Sequence, residues 1–329
     1  MSNKNQPANI SVGGQALIEG VMMNGPKGAA LSVRHTDGNI ITEECAVTHL
    51  KDKFKPLGFP FIRGIVNFIE SMLIGYKSLM RSAELSGQLD EEENTEDMSK
   101  LDKWLNSHLS PKVVSVITAV MSVVVVGICM LLFFYAPTYL VDLVDAKIFK
   151  DALADFHPTI ESIIKMILIV CYMLAVSQMK DIKRVFMYHG AEHKSIFCFE
   201  KGLELTVENV RTCKRFHPRC GTSFIFIVLI INVIISSLTA FIFPVLNLPE
   251  YRIIWTLVKL LAILPVVTGI SYELIRYAGK HDNIITKIFS APGLWMQRVT
   301  TKEPTDDMIE VAIASIKAVV EDSETKEEQ

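Results

Sequence analysis

The sequence predicts a mainly α-helical membrane protein, with about four transmembrane helices, an interfacial amphipathic helix and a small N-terminal β-subdomain. Three observations lead there. Apolar residues make up 50% of the 329, and the mean hydropathy is +0.33, more than a soluble domain of this length needs for its core. Four windows, Val113–Tyr135, Ile160–Met179, Thr222–Phe243 and Ile253–Ile275, supply the roughly 20 apolar residues that a helix needs to cross a bilayer. Nine Lys and Arg lie from Lys180 to Arg219, against Lys147 and Lys150 in residues 136–159 and Arg252 alone in residues 244–252. Basic segments stay cytoplasmic, so the asymmetry predicts a cytoplasmic segment 180–221 and, with four spans, cytoplasmic termini.

The elements follow in chain order. Residues 1–11 are polar and read as disordered, and glycines and Glu19 interrupt the next apolar stretch, so no signal peptide is expected. Residues 12–60 read as a cytoplasmic β-subdomain. Its strands are Ala16–Met23, Ala29–His35 and Ile40–Val47, with turns at Asn24–Gly28 and Asp37-Gly38. Residues 61–83 form an amphipathic helix, because Arg63, Glu70 and Lys77 recur every seven residues while apolar side chains cover much of the rest. Residues 84–112 are an acidic linker, and 113–275 the four-helix membrane domain. Lys165 and Lys259 lie near span ends, where lysines snorkel to the headgroups. Residues 276–320 make a cytoplasmic helical segment with a helix over 306–320, and 321–329 a disordered tail.

Composition also restricts partners. A net charge of −3 shows no global basicity, so no nucleic-acid partner is expected. The bilayer is the expected partner, together with a membrane protein or peptide, and a homo-oligomer is compatible with four spans. Six cysteines without a CxxC, two of them (Cys129 and Cys171) inside spans, point to thiols or a metal ligand rather than a disulfide framework.

The chemistry concentrates in His189-Gly190-Ala191-Glu192-His193. On a helix, His189 and His193 stand one turn apart on the face that carries Ile182, Val185 and Phe186, while Lys183, Arg184 and Lys194 point away. Two imidazoles at that spacing can grip one metal ion, and the order H-x-x-E-H matches an inverted zincin motif. Glu192, about 60° from His189 around the helix axis, stands where it can orient or deprotonate water. A second cluster, His217-Pro218-Arg219-Cys220-Gly221, immediately precedes the third span, at the membrane face where the second span ends. Glu273 near the end of the fourth span and His281 beyond it belong to the same layer, and a carboxylate that deep in a span is functional by default. His189, His193 and one of His217, Cys220 or Glu273 would make an open catalytic zinc site. All of His189, His193, His217 and Cys220 would make a closed structural one.

At these residues the chain resembles the bacterial YqhQ family of uncharacterised membrane proteins. The resemblance rests on residues 13–23 (GGQALIEGVMM), 189–194 (HGAEHK), 217–224 (HPRCGTSF) and 291–298 (APGLWMQR), with Asn24 where the family usually carries arginine. It implies a bacterial plasma-membrane protein, and such proteins have been labelled predicted metal-dependent enzymes. Beside that resemblance, Glu19 becomes a candidate to complete the site from the β-subdomain, and Trp295–Arg298 reads as an interfacial anchor. The leading expectation is a zinc-dependent hydrolase at the cytoplasmic face, with Glu192 and Glu273 as candidate catalytic groups. The alternative is a non-catalytic scaffold or assembly factor with a structural metal or polar network. A transporter ranks third, because the charged groups cluster at span ends rather than in mid-span.

Overall fold

The computed structural model describes residues 12–45, 54–59, 62–87, 111–149, 156–218, 220–243, 257–278, 281 and 283–320. The readings for residues 1–11, Val47, Arg219, the side chain of Lys259, most of the acidic linker and the 321–329 tail fall outside them. Four strands, β1 (Gly13–Leu17), β2 (Gly20–Gly25), β3 (Gly28–Arg34) and β4 (Ile40–Cys45), form an antiparallel meander in sequence order. The helices are α1 (Ile62–Leu85), α2 (Pro111–Met130), α3 (Ala136–Val144), α4 (His157–Val176), α5 (Lys180–Glu200), α6 (Val207–Thr212), α7 (Gly221–Ile242), α8 (Leu264–Ala278), α9 (Ile284–Thr300) and α10 (Asp306–Val320). The chain divides into two compact units. One comprises Met1–Leu89, Met173–Val228 and Thr268–Gln329, the other Asp90–Tyr172 and Leu229–Val267.

The sheet departs from the sequence expectation at its start. The single strand expected over Ala16–Met23 is a hairpin: Leu17 pairs with Gly20, and Ile18-Glu19 form the two-residue turn, with Glu19 at φ 50°. Its apolar run hides the turn because the sheet is buried on both faces, which removes the alternation that would mark two strands. Val21, Met23 and Ala30 pack on one face against Tyr188 and Ala191 of α5 and Ile309, Ala312 and Ile316 of α10. Leu17, Met22, Leu31 and Val33 pack on the other against Ile74, Leu79 and Leu85 of α1.

Helix α1 turns a face of small and polar residues toward the protein: Gly64, Glu70, Gly75, Ser78 and Ser82 are buried. Ile62, Phe68, Ile69, Met72, Leu73, Tyr76 and Met80 are exposed. Small residues let α1 approach closely. A Cβ on Gly64 would lie 2.8 Å from Tyr272 Cβ and 3.2 Å from Gly269 Cα of α8. Arg63 binds both Glu273 oxygens at 2.7 and 2.6 Å, and Asn67 donates to the Tyr272 hydroxyl at 2.7 Å.

Among the described residues, four helices are long and apolar enough to cross a membrane: Val120–Phe149, His157–Val176, Gly221–Thr239 and Leu261–Ala278. The first runs past the expected end at Tyr135, through a π-helical turn at Leu131–Tyr135 and into α3. A second π turn, Lys259–Ile263, leads into α8. Each π turn ends two residues before a proline, Pro137 or Pro265, which has no N–H for the carbonyl four residues back. Between α4 and α5 the helix breaks at Ser177–Met179, with Met179 extended at ψ 138°. The His-Gly-Ala-Glu-His run therefore lies on a separate helix, not on an extension of the second span.

The close approach of α1 to α8 yields a test. Gly64→Leu should cost about 1–3 kcal/mol by overpacking and lower the thermal midpoint in detergent. Gly127→Leu, where an added Cβ meets nothing within 4 Å, should leave it unchanged. Equal midpoints for the two variants would contradict this packing.

Candidate metal centre

Helix α5 is regular through Gly190, and the glycine has a packing reason. A Cβ there would stand 2.0 Å from the Lys302 carbonyl oxygen, because residues 301–305 cross α5 at that point and Lys302 N–H donates to Phe186 O at 2.8 Å. That crossing delivers the end of α9 to the histidines. His189 Nδ1 lies 2.8 Å from Thr300 O, and His193 Nδ1 bonds Arg215 O. A carbonyl oxygen only accepts, so both rings carry their proton on Nδ1 and present a bare Nε2. His189 Nε2 sits 3.1 Å from Cys220 Sγ. His189, His193 and Cys220, all buried, each offer one ligand atom, and the three atoms lie within 4.8 Å of one another.

These residues fit a metal ion. His193 Nε2 is buried and makes no hydrogen bond, an arrangement that costs free energy in a metal-free core and none once the nitrogen is a ligand. Burial, followed by the nearby His189, pushes the His193 pKa down, which keeps the imidazole neutral as ligation requires. Cys220 directly precedes α7, and Thr222 N–H donates to its sulfur at 3.4 Å. The donor set of two imidazoles and one thiolate suits zinc.

Glu192 is fully enclosed beside this group. Burial raises its pKa above the usual carboxylate range, opposed by the nearby His189 and His217 and by the backbone N–H of Gly14. One of its oxygens, Oε2, is 3.8 Å from His189 Nε2 and makes no hydrogen bond. Gly14 admits the carboxylate: a Cβ at that position would come 2.9 Å from Glu192 Cγ.

The other candidates are placed differently. His217 adjoins the centre, its ring 5.8 Å from that of His193, but its Nε2 faces Glu200 at 3.3 Å. Glu273 is held by Arg63, and both line a surface cavity with His281, whose ring stacks on Tyr277 at 4.2 Å. Glu19 sits in the β1–β2 turn, where its carboxylate binds Arg184 and the Tyr188 hydroxyl and ties the sheet to α5. Lys194, expected to face outward, is buried and bonds Glu303 and Arg211 O.

Gln297 is the residue that sequence reasoning missed. It lies in the segment read as an interfacial anchor and is completely buried. Its Oε1 accepts from His217 N–H at 2.7 Å, while its Nε2 donates to His217 O at 2.7 Å and to Ser223 Oγ at 2.8 Å. One side chain thus staples the loop that carries Arg215 and Cys220. Its signal in the sequence is a stripe of small and polar residues at helical spacing along α9, Thr286, Ser290, Gly293 and Thr300, to which it belongs.

Residues 59–322 match the family described as "Protein of unknown function (DUF1385)". The chain is 38% identical to "Uncharacterized protein YqhQ" of Bacillus subtilis (strain 168) over 306 residues, 92% of this chain and 90% of that protein. No solved structure matches.

The staple is testable. Gln297→Leu keeps the size but leaves the His217 N–H and C=O unpaired in a buried site, at about 1–3 kcal/mol for each orphaned group. Chemical denaturation should show that loss, and the isosteric but charged Gln297→Glu should not restore the three bonds. Wild-type stability in Gln297→Leu would contradict the staple.

Proposed function

Because the chain belongs to the DUF1385 family of proteins of unknown function, its activity has to be read from its own side chains, and we propose a membrane-embedded, zinc-dependent hydrolase working at the cytoplasmic face. The observation that carries this is the convergence of three buried ligand atoms, from His189, His193 and Cys220, beside an enclosed carboxylate with one unbonded oxygen. Three protein ligands rather than four are the mark of a catalytic zinc site with an open position.

Each residue then has a stated task. His189 and His193 hold the ion through Nε2, and Thr300 O and Arg215 O keep the rings in that tautomer and orientation. Cys220 supplies the third ligand. A zinc ion bound there supplies Lewis-acid polarisation of a carbonyl and lowers the pKa of its water to about 7. Glu192 takes a proton from the attacking water through Oε2 and returns it to the leaving group, work for which its burial-raised pKa suits it.

The membrane reading rests on four helices of spanning length and on the exposed apolar face of α1, from Ile62 to Met80. The basic segment from Lys180 to Arg219, which holds His189 and His193, supports a cytoplasmic side for the chemistry.

Elemental analysis of the purified protein should find about one zinc per chain, lost in His193→Ala. Glu192→Gln should retain the zinc and slow hydrolysis of p-nitrophenyl acetate about 100-fold or more. Zinc retained with unchanged turnover in Glu192→Gln would leave a structural metal site in a scaffold instead.

A further inference from the structure

Among the described residues, strand β1 is an edge strand with β2 as its one sheet partner. Across the two-residue turn, Leu17 and Gly20 form the first hydrogen-bonded pair, so in an antiparallel ladder Gln15 and Gly13 also bond β2. Gly14 and Ala16 therefore turn their N–H and C=O groups away from the sheet. The Gly14 carbonyl and both backbone groups of Ala16 make no hydrogen bond to another described residue. Gly13 and Gly14 are exposed, and a Cβ on Gly13 would meet nothing within 4 Å, so another backbone can come alongside.

An unpaired edge that ends at a buried general-base candidate has a definite use. We propose that β1 binds an extended polypeptide by strand addition, pairing with the Gly14 carbonyl and the Ala16 N–H and C=O, and so lays a peptide bond beside Glu192. This rests on the hydrolase reading for its chemistry and names the substrate class as an unfolded or extended polypeptide. In the hydrolysis the amide C–N bond breaks. One water supplies the hydroxyl of the new carboxyl group and the hydrogen of the new amine. Backbone pairing makes recognition tolerant of side-chain sequence.

Ala16 allows a specific test. Its N–H takes no part in the β1–β2 ladder, so Ala16→Pro removes an outward donor and leaves the sheet intact. The probe is fluorescein-labelled β-casein, an unfolded polypeptide, read by fluorescence anisotropy against the full-length protein in detergent. Wild type should bind saturably both with metal and after chelation, and Ala16→Val should match it. Ala16→Pro, with an unchanged thermal midpoint, should bind at least tenfold more weakly. Equal binding by Ala16→Pro, or no binding by wild type, overturns the proposal. A wild-type dimer that Ala16→Pro converts to monomer, without casein binding, overturns it in favour of a second copy on the same edge. Ala16-dependent binding of casein that stays uncut by the zinc-loaded protein upholds the docking edge and sinks the hydrolase reading alone.

Discussion

His189 and His193 can aim their Nε2 atoms at one sulfur because a backbone carbonyl holds the other nitrogen of each ring, Thr300 O for the first and Arg215 O for the second. Neither carbonyl belongs to α5. Thr300 arrives because residues 301–305 cross α5 over Gly190, where any side chain would collide with the Lys302 carbonyl. Arg215 arrives because Gln297, three residues before Thr300 on the same helix, holds the backbone of His217 at both its N–H and its carbonyl. Helix α9 thus orients both imidazoles, one directly and one through a loop.

The sheet supplies the complementary half of the site. Glu19 clamps Arg184 and Tyr188, five residues and one residue before His189, and Gly14 lets the sheet approach the Glu192 side chain closely. Helix α10, packed on the sheet face that also meets α5, encloses the assembly. Burial on that scale gives Glu192 its raised pKa and His193 its lowered one, two shifts in opposite directions from one cause.

Much of this was legible in the sequence, for identifiable reasons. Membrane-length helices announce themselves by uninterrupted apolar runs, and His189, Glu192, His193 and Cys220 by rare residue types at ligand spacing. The hairpin turn at Ile18-Glu19 was hidden because both sheet faces are buried, so no alternation marks where one strand ends. Glu273 and His281 were grouped with the histidines because position along a span gives depth but not azimuth. The structure turns Glu273 toward Arg63 of α1 instead. Gln297 and Gly190 act through backbone groups far away in sequence, and a single sequence has no periodicity that reports such contacts.

Zinc X-ray absorption on the purified protein tests the central claim most directly, because it reports the ligand atoms themselves. The account predicts two nitrogen scatterers at about 2.0–2.1 Å, one sulfur at about 2.3 Å and one further light scatterer. Cys220→Ser should remove the sulfur shell alone. A first shell without sulfur, or one dominated by several sulfurs, would contradict a centre built from His189, His193 and Cys220.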